Sequence, residues 1–292
     1  MIIANGVTLR GQTDSPAADV PAVTAPPATK LQRQDERSRS WSQRLPAVAR
    51  ARFELRSLAG QHPRYIDYLR RKHRALGWLD DESSNVATVD QRTDLVIEAF
   101  WRSGNTFALA AFLLAQDDRP RVGHHVCQPA QVGTAVRLGV PVLVIARDPR
   151  STILSALQWG PLYSPRQWLR IYTRYYERVA RIARQSGRVT VADFTAVTRN
   201  FGLVTERLNG RFGTSFVPFV HTDDNVAACY RLIEADDRRT FGAVTEERVS
   251  RPSPDRQATA ERLAAELADP RYERALARAQ RAYRAVLHAS PT

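Results

Sequence analysis

Two segments of this chain change their period part-way along. Leu95-Val96-Ile97-Glu98-Ala99-Phe100-Trp101 breaks into Arg102-Ser103-Gly104-Asn105-Thr106 and resumes with helical spacing over 107–115. Val142-Leu143-Val144-Ile145-Ala146 breaks into Arg147-Asp148-Pro149 and again resumes with helical spacing, past Ser155. An apolar, β-branched run that feeds a helix through a small polar or basic turn is how a buried parallel strand reads in sequence. The fold class expected is therefore α/β, a central parallel β-sheet flanked by helices. Both turns then fall at strand C-termini, the sheet edge where ligands bind. The free N–H groups and positive dipole end of each following helix favour an anion there. Two such turns can hold two phosphates.

In the first turn Gly104 lets the backbone approach an oxyanion, and Ser103, Asn105 and Thr106 offer side-chain donors. Arg102 adds a fixed charge with a planar fork of N–H groups. The plainer alternative is an N-cap followed by a packed helix, because Ser, Asn and Thr are the usual capping residues. In the second turn Arg147 stands at the strand end, and Ser155 two helical turns further on falls on the same face, so the pair can grip one phosphate. Taken singly, a surface Arg and a helical Ser are commonplace; their combination with the first turn is not.

With both turns in hand, the chain resembles the sulfotransferases that use 3′-phosphoadenosine-5′-phosphosulfate (PAPS). That family binds the 5′-phosphosulfate with a strand–turn–helix of the form Pro-(Lys/Arg)-Ser-Gly-Thr-Thr-Trp. Trp101-Arg102-Ser103-Gly104-Asn105-Thr106-Phe107 resembles it, with Arg102 in place of the basic residue, Asn105 in place of the first Thr, and Phe107 in place of the aromatic near the adenine. The family's 3′-phosphate signature, an Arg at a strand end and a Ser eight residues on, is matched by Arg147 and Ser155. Between the two motifs the family carries its catalytic base on a histidine, and here stand His124 and His125. By its distance from Arg147, His125 is the better match. If 123–128 is extended, the two neighbours point to opposite faces and only one of them faces the cleft. An ordinary His pKa near 6.5 suits a base that is neutral at pH 7. A histidine pair beside Cys127 is otherwise a surface loop or a weak metal pattern, and no further ligand stands at zinc spacing.

The resemblance spans roughly residues 95–256. Gly187-Arg188-Val189-Thr190-Val191-Ala192-Asp193-Phe194 is similar to the family's next strand, and 201–212 to the helix after it. The Tyr-Glu-Asp signature of that strand is missing, and so is the Arg-Lys-Gly loop that closes over the 3′-phosphate. Arg248-Val249-Ser250-Arg251-Pro252-Ser253 is the nearest basic loop, which offers Arg251 for that role. The resemblance implies sulfuryl transfer from PAPS to a hydroxyl of a small molecule, carbohydrate or glycolipid. His125 is then the base, Arg102 faces the departing nucleotide, and no metal is needed.

Elsewhere the chain reads simply. Residues 1–37 are rich in Pro, Ala and polar residues and are expected to be disordered. Residues 38–292 are expected to form one domain: N-terminal helices over 38–90, a core over 95–256 and terminal helices over 257–292. Helical spacing over 41–76 breaks at Gly60-Gln61-His62-Pro63, a long aromatic helix covers 165–185, and 258–287 is broken at Pro270. No run reaches the length of a membrane helix, no signal-peptide pattern opens the chain, and only Cys127 and Cys229 are cysteines. These features favour a cytoplasmic protein without a transmembrane segment. The net charge of +13 comes from a chain in which only Lys30 and Lys72 of its 43 basic residues are lysine. The arginines are spread beside Asp and Glu along many helices, which disfavours a nucleic-acid stripe but suits steering of an anionic nucleotide. Two other readings stay open. One is a nucleotide kinase or NTPase with a degenerate P-loop, which lacks the Lys that touches the β/γ-phosphates. The other is a non-catalytic module that binds anions or glycans.

Overall fold

A computed structural model of the chain describes residues 45–75, 86–159, 162–241 and 254–289. The expected 1–37 tail and the 248–253 loop with Arg251 lie outside the described residues. Four parallel strands form the sheet, β1 (Leu95–Ala99), β2 (Val122–His124), β3 (Val142–Ala146) and β4 (Thr190–Asp193), in the spatial order β2-β1-β3-β4. From β1 the chain steps to one side for β2 and then returns past β1 for β3. The switch point of this α/β sheet thus lies between β1 and β3, the two strands whose turns carry the basic motifs, and the crevice beside such a point is where ligands bind.

The β1 and β3 residues are buried throughout, as strands covered on both faces must be, and their period of two sends alternate side chains to opposite layers. Leu95, Ile97, Ala99, Leu143 and Ile145 join one cluster with α3 (Asn105–Ala115), α8 (Phe201–Phe212) and α9 (Asp223–Phe241). Val96, Phe100, Val142 and Val144 join the other, against α4 (Pro129–Leu138), α5 (Pro149–Trp159), α6 (Pro165–Ser186) and α11 (Glu273–Leu287). The long α6 is the centre of this second layer. Its Trp168, Tyr172, Tyr175 and Tyr176 are fully buried, so they are core, as their helical spacing predicts. Each such side chain removes about 150–250 Å² from water, worth up to about 4–6 kcal/mol.

Around this frame α1 (Pro46–Ala59) and α2 (Arg64–Ala75) meet at the expected break near Gly60, and α10 (Pro254–Leu267) is separated from α11 by a 3-10 turn over Pro270–Tyr272. Three helices go beyond the sequence expectation: α4, α9 and the short α7 (Phe194–Arg199) that follows β4 directly. α7 is capped by the Asp193 carboxylate, which accepts from the Thr195 N–H at 2.7 Å.

Candidate active site

The turn after β1 is built on two left-handed residues, Arg102 (φ 62°) and Gly104 (φ 91°). Gly104 is the N-cap of α3, whose first turn therefore starts at Asn105, two residues before the helix read from sequence. A Cβ at Gly104 would come within 2.9 Å of the Phe194 ring, so the position needs glycine for both its φ and its space. No side chain caps this helix, and the hydroxyl groups of the turn are engaged elsewhere. The Tyr176 hydroxyl donates its one hydrogen to the Ile145 carbonyl at 2.8 Å, and Ser103 Oγ lies 3.4 Å from the same hydroxyl. Asn105 is 6% exposed, yet neither atom of its amide has a partner among the described residues. A buried, unpaired amide at a helix N-terminus is an exception to the rule that buried polar groups are hydrogen-bonded.

The second turn is fastened to the first. Arg147 donates from Nη1 to the Arg102 carbonyl at 2.9 Å, and its guanidinium carbon stands 4.2 Å from the centroid of the Phe194 ring. The Arg147 carbonyl in turn accepts from the Tyr172 hydroxyl at 2.6 Å. From α5, Ser155 Oγ accepts from Arg102 Nε at 3.2 Å. Arg147 and Ser155 thus both touch Arg102, the first at its backbone carbonyl and the second at its side-chain Nε. Arg102, Arg147 and Ser155 converge at the switch point.

Past β2 the chain does not stay extended. His125 (φ 57°) and Cys127 (φ 54°) are both left-handed, a conformation that costs a non-glycine residue about 1–2 kcal/mol. Neighbouring side chains therefore do not alternate between faces, and the expectation that His124 and His125 point apart is corrected. Their Nδ1 atoms lie 2.8 Å from each other, with the ring planes at 89°. The far nitrogen of His125, Nε2, lies 3.2 Å from Thr106 Oγ1 in the first turn. Burial lowers the His125 imidazole to about 4, against the pull of the Asp236 carboxylate on α9, and burial together with His125 lowers His124 to about 3. Both are neutral at pH 7. His125 is accordingly a weaker base than the ordinary value assumed from sequence.

Under this turn lies Glu98 of β1, which sequence reasoning missed. It is fully buried and accepts from the Val126 N–H at 2.9 Å and the Cys127 N–H at 3.0 Å. The signal was present as a lone carboxylate inside an apolar strand. Burial pushes this carboxyl up to about 8, while the N–H groups of Val126, Cys127 and Ala99 pull the other way. Two further carboxylates face the site from α9. Asp237 is raised to about 6 by burial and by Asp236, and the Arg102 charge works against that rise.

Of the residues singled out from sequence, Arg102, Ser103, Gly104, Asn105, Thr106, His125 and Arg147 thus lie in the strand ends and helix starts that follow β1, β2 and β3, and Ser155 lies inside α5. Phe107 is buried at 5% exposure in the α3 layer, with ring centroids 5.9 Å from Tyr230 and 6.2 Å from His221. No family model matches the chain, and no curated protein matches it. Solved structures do. The chain is similar to mouse sulfotransferase SULT7A1 complexed with PAP, at 12% identity and a TM-score of 0.38, over 69% of this chain and 92% of that one. It is also similar to retinol dehydratase with androsterone and the inactive cofactor PAP, at 12% identity and a TM-score of 0.36, over 64% and 84%. Retinol dehydratase with retinol and PAP gives 12% identity and a TM-score of 0.38, over 64% and 85%. Among the described residues no helix is long and apolar enough to cross a membrane.

Proposed function

We propose that the chain transfers a sulfuryl group from PAPS to a hydroxyl of a small molecule, carbohydrate or glycolipid. The observation that carries this reading is the convergence at one switch point of Arg102, the Arg147/Ser155 pair and the His125 imidazole, each within hydrogen-bond reach of the next turn. The residues present fit the nucleotide. The unpaired Asn105 amide and the left-handed Gly104 cradle suit the 5′-phosphate, and Arg147 with Ser155 suits the 3′-phosphate that distinguishes PAPS from ATP.

His125 takes the acceptor proton on Nε2 as the acceptor oxygen bonds to sulfur. The bond between sulfur and the bridging oxygen of the nucleotide breaks, and Arg102 neutralises the charge that grows on that oxygen. For Nε2 to accept, the His125 proton sits on Nδ1 and is donated to Nδ1 of His124. His124 then carries its own proton on Nε2 and fixes the tautomer of its neighbour. Thr106 donates to Nε2 until the acceptor hydroxyl displaces it.

Thermal unfolding with adenosine 3′,5′-bisphosphate, in parallel with ATP plus Mg²⁺, tests the reading. At about 100 times Kd a ligand adds about 2.7 kcal/mol to the native state, which raises the midpoint by several degrees. A rise with the bisphosphate that is lost in Arg147→Ala is the expected result. A rise with ATP and Mg²⁺ alone contradicts it in favour of a kinase or NTPase, and silence with both favours a non-catalytic anion-binding module.

A further inference from the structure

A carboxyl group in the middle of a fully buried strand is costly even when burial keeps it protonated, and the chemistry above gives Glu98 no role. Its neighbours on β1 are all apolar, so an aliphatic side chain would fill the same space. What the carboxyl does is hold the first two amides after His125, one on each oxygen, at 2.9 and 3.0 Å. Those bonds fall between the two left-handed residues of the turn, His125 and Cys127. Removing that acceptor strips the turn of both side-chain bonds to its backbone amides and leaves two buried N–H groups that an extended path would have to satisfy elsewhere. An extended path would swing the His125 ring away from both Thr106 and His124, because successive side chains along extended chain point to opposite faces.

We infer that Glu98 is a positioning residue: its carboxyl grips the Val126 and Cys127 amides, keeps the 125–127 turn left-handed, and so aims His125 Nε2 at the Thr106 hydroxyl and the first anion-binding turn. What His125 is aimed to do rests on the sulfuryl-transfer reading; that it is aimed by Glu98 does not. The Glu98 carboxyl is met by the amides of Val126 and Cys127 and by that of Ala99 in its own strand. Its loss therefore separates base placement from nucleotide binding.

The test uses the full chain carrying Glu98→Gln. Glutamine has nearly the same shape, keeps one acceptor oxygen and sets an NH₂ against the other amide, so one of the two loop bonds becomes donor against donor. Hydrogen exchange at the Val126 and Cys127 amides is expected to quicken by at least about tenfold relative to strands β1 and β3. In ¹⁵N imidazole spectra the titration midpoint of His125 is expected to move toward the ordinary histidine value. With PAPS and an acceptor that is turned over, kcat is expected to fall by about 10²-fold, the cost of a misplacement on the order of 1 Å, with affinity for adenosine 3′,5′-bisphosphate within about twofold of wild type.

If the chain transfers no sulfuryl group, the kinetic arm fails while the exchange and imidazole arms still decide the role of Glu98. A merely structural carboxylate gives a different pattern: a lower unfolding midpoint, with the His125 imidazole shifts and the kcat of the folded protein unchanged. That pattern overturns the inference. Should Glu98→Gln not fold, Glu98→Asp, which keeps the carboxyl group on a stem one methylene shorter, is measured in the same way. Intermediate His125 shifts are then expected, and wild-type shifts together with wild-type amide exchange overturn it.

Discussion

Arg147→Ala offers the sharpest separation between the two anion-binding turns. In the free protein this guanidinium donates to the Arg102 carbonyl at 2.9 Å and lies over the Phe194 ring. Losing them costs about 1 kcal/mol for the hydrogen bond and about 0.5–1 kcal/mol for the ring contact. A loss on the order of 2 kcal/mol lowers the unfolding midpoint of a chain of this size by several degrees, so the variant is still folded at 25 °C. In the nucleotide complex the same guanidinium meets the 3′-phosphate, and a hydrogen bond to a charged group is worth about 1.5–3 kcal/mol, a factor of about 10 to 150 in Kd. Isothermal titration with adenosine 3′,5′-bisphosphate and with 5′-AMP isolates that term, because any loosening of the first turn weakens both ligands alike. Wild type is expected to prefer the bisphosphate by about that factor, and the variant to bind the two nucleotides nearly equally. Equal weakening of both ligands, or an unchanged preference, would refute the assignment of Arg147 to the 3′-phosphate.

Three further outcomes follow from the same geometry. Gly104→Ala places a methyl 2.9 Å from Phe194 at a φ of 91°, so it is expected to lower stability by about 1–3 kcal/mol and to abolish binding of adenosine 3′,5′-bisphosphate; wild-type calorimetric affinity would count against the cradle. The folded imidazoles of His124 and His125 protonate only near 3 and 4, whereas the unfolded ones protonate near 6.5. With folded values depressed, their contribution to stability is complete above pH 6.5 and is lost as pH falls through about 4 and about 3. The midpoint of wild type should therefore drop more on acidification through that window than that of the His124→Asn/His125→Asn double variant, and parallel curves would contradict the burial of the pair. Tyr176→Phe removes the donor to the Ile145 carbonyl and the hydroxyl that contacts Ser103 Oγ and is expected to cost about 1–2 kcal/mol in denaturant unfolding; a neutral result would show that this tie does not support the turn.

What could be read from the chain alone divides along physical lines. The β1 and β3 segments were legible because a buried parallel strand is a continuous apolar run, and their turns because Gly104 and the arginines interrupt it. The helix α6 was legible because its aromatic residues return at helical spacing onto one buried layer. The path of 123–128 was not legible. Nothing local in Gly123-His124-His125-Val126-Cys127 forces left-handed residues, and the cause lies in Glu98, more than two dozen residues earlier in the chain, whose carboxyl captures two amides of the loop. The link between Arg102 and Ser155 was hidden for the same reason, since sequence spacing pairs Ser155 with Arg147 while the sheet order sets β1 beside β3. The helix α9 carries apolar spacing of its own at Val226, Cys229, Tyr230 and Ile233; what that spacing does not reveal is that Asp236 and Asp237 come near His125 and Arg102.

The central claim is that the turns after β1 and β3 hold the two phosphates of one nucleotide. A crystal structure of the chain grown with adenosine 3′,5′-bisphosphate tests it most directly. The account predicts the 5′-phosphate against the amides of Gly104, Asn105 and Thr106 with the Asn105 side chain engaged, and the 3′-phosphate between Arg147 and Ser155. A nucleotide bound away from the β1/β3 switch point, or one whose 3′-phosphate leaves Arg147 and Ser155 untouched, would contradict it.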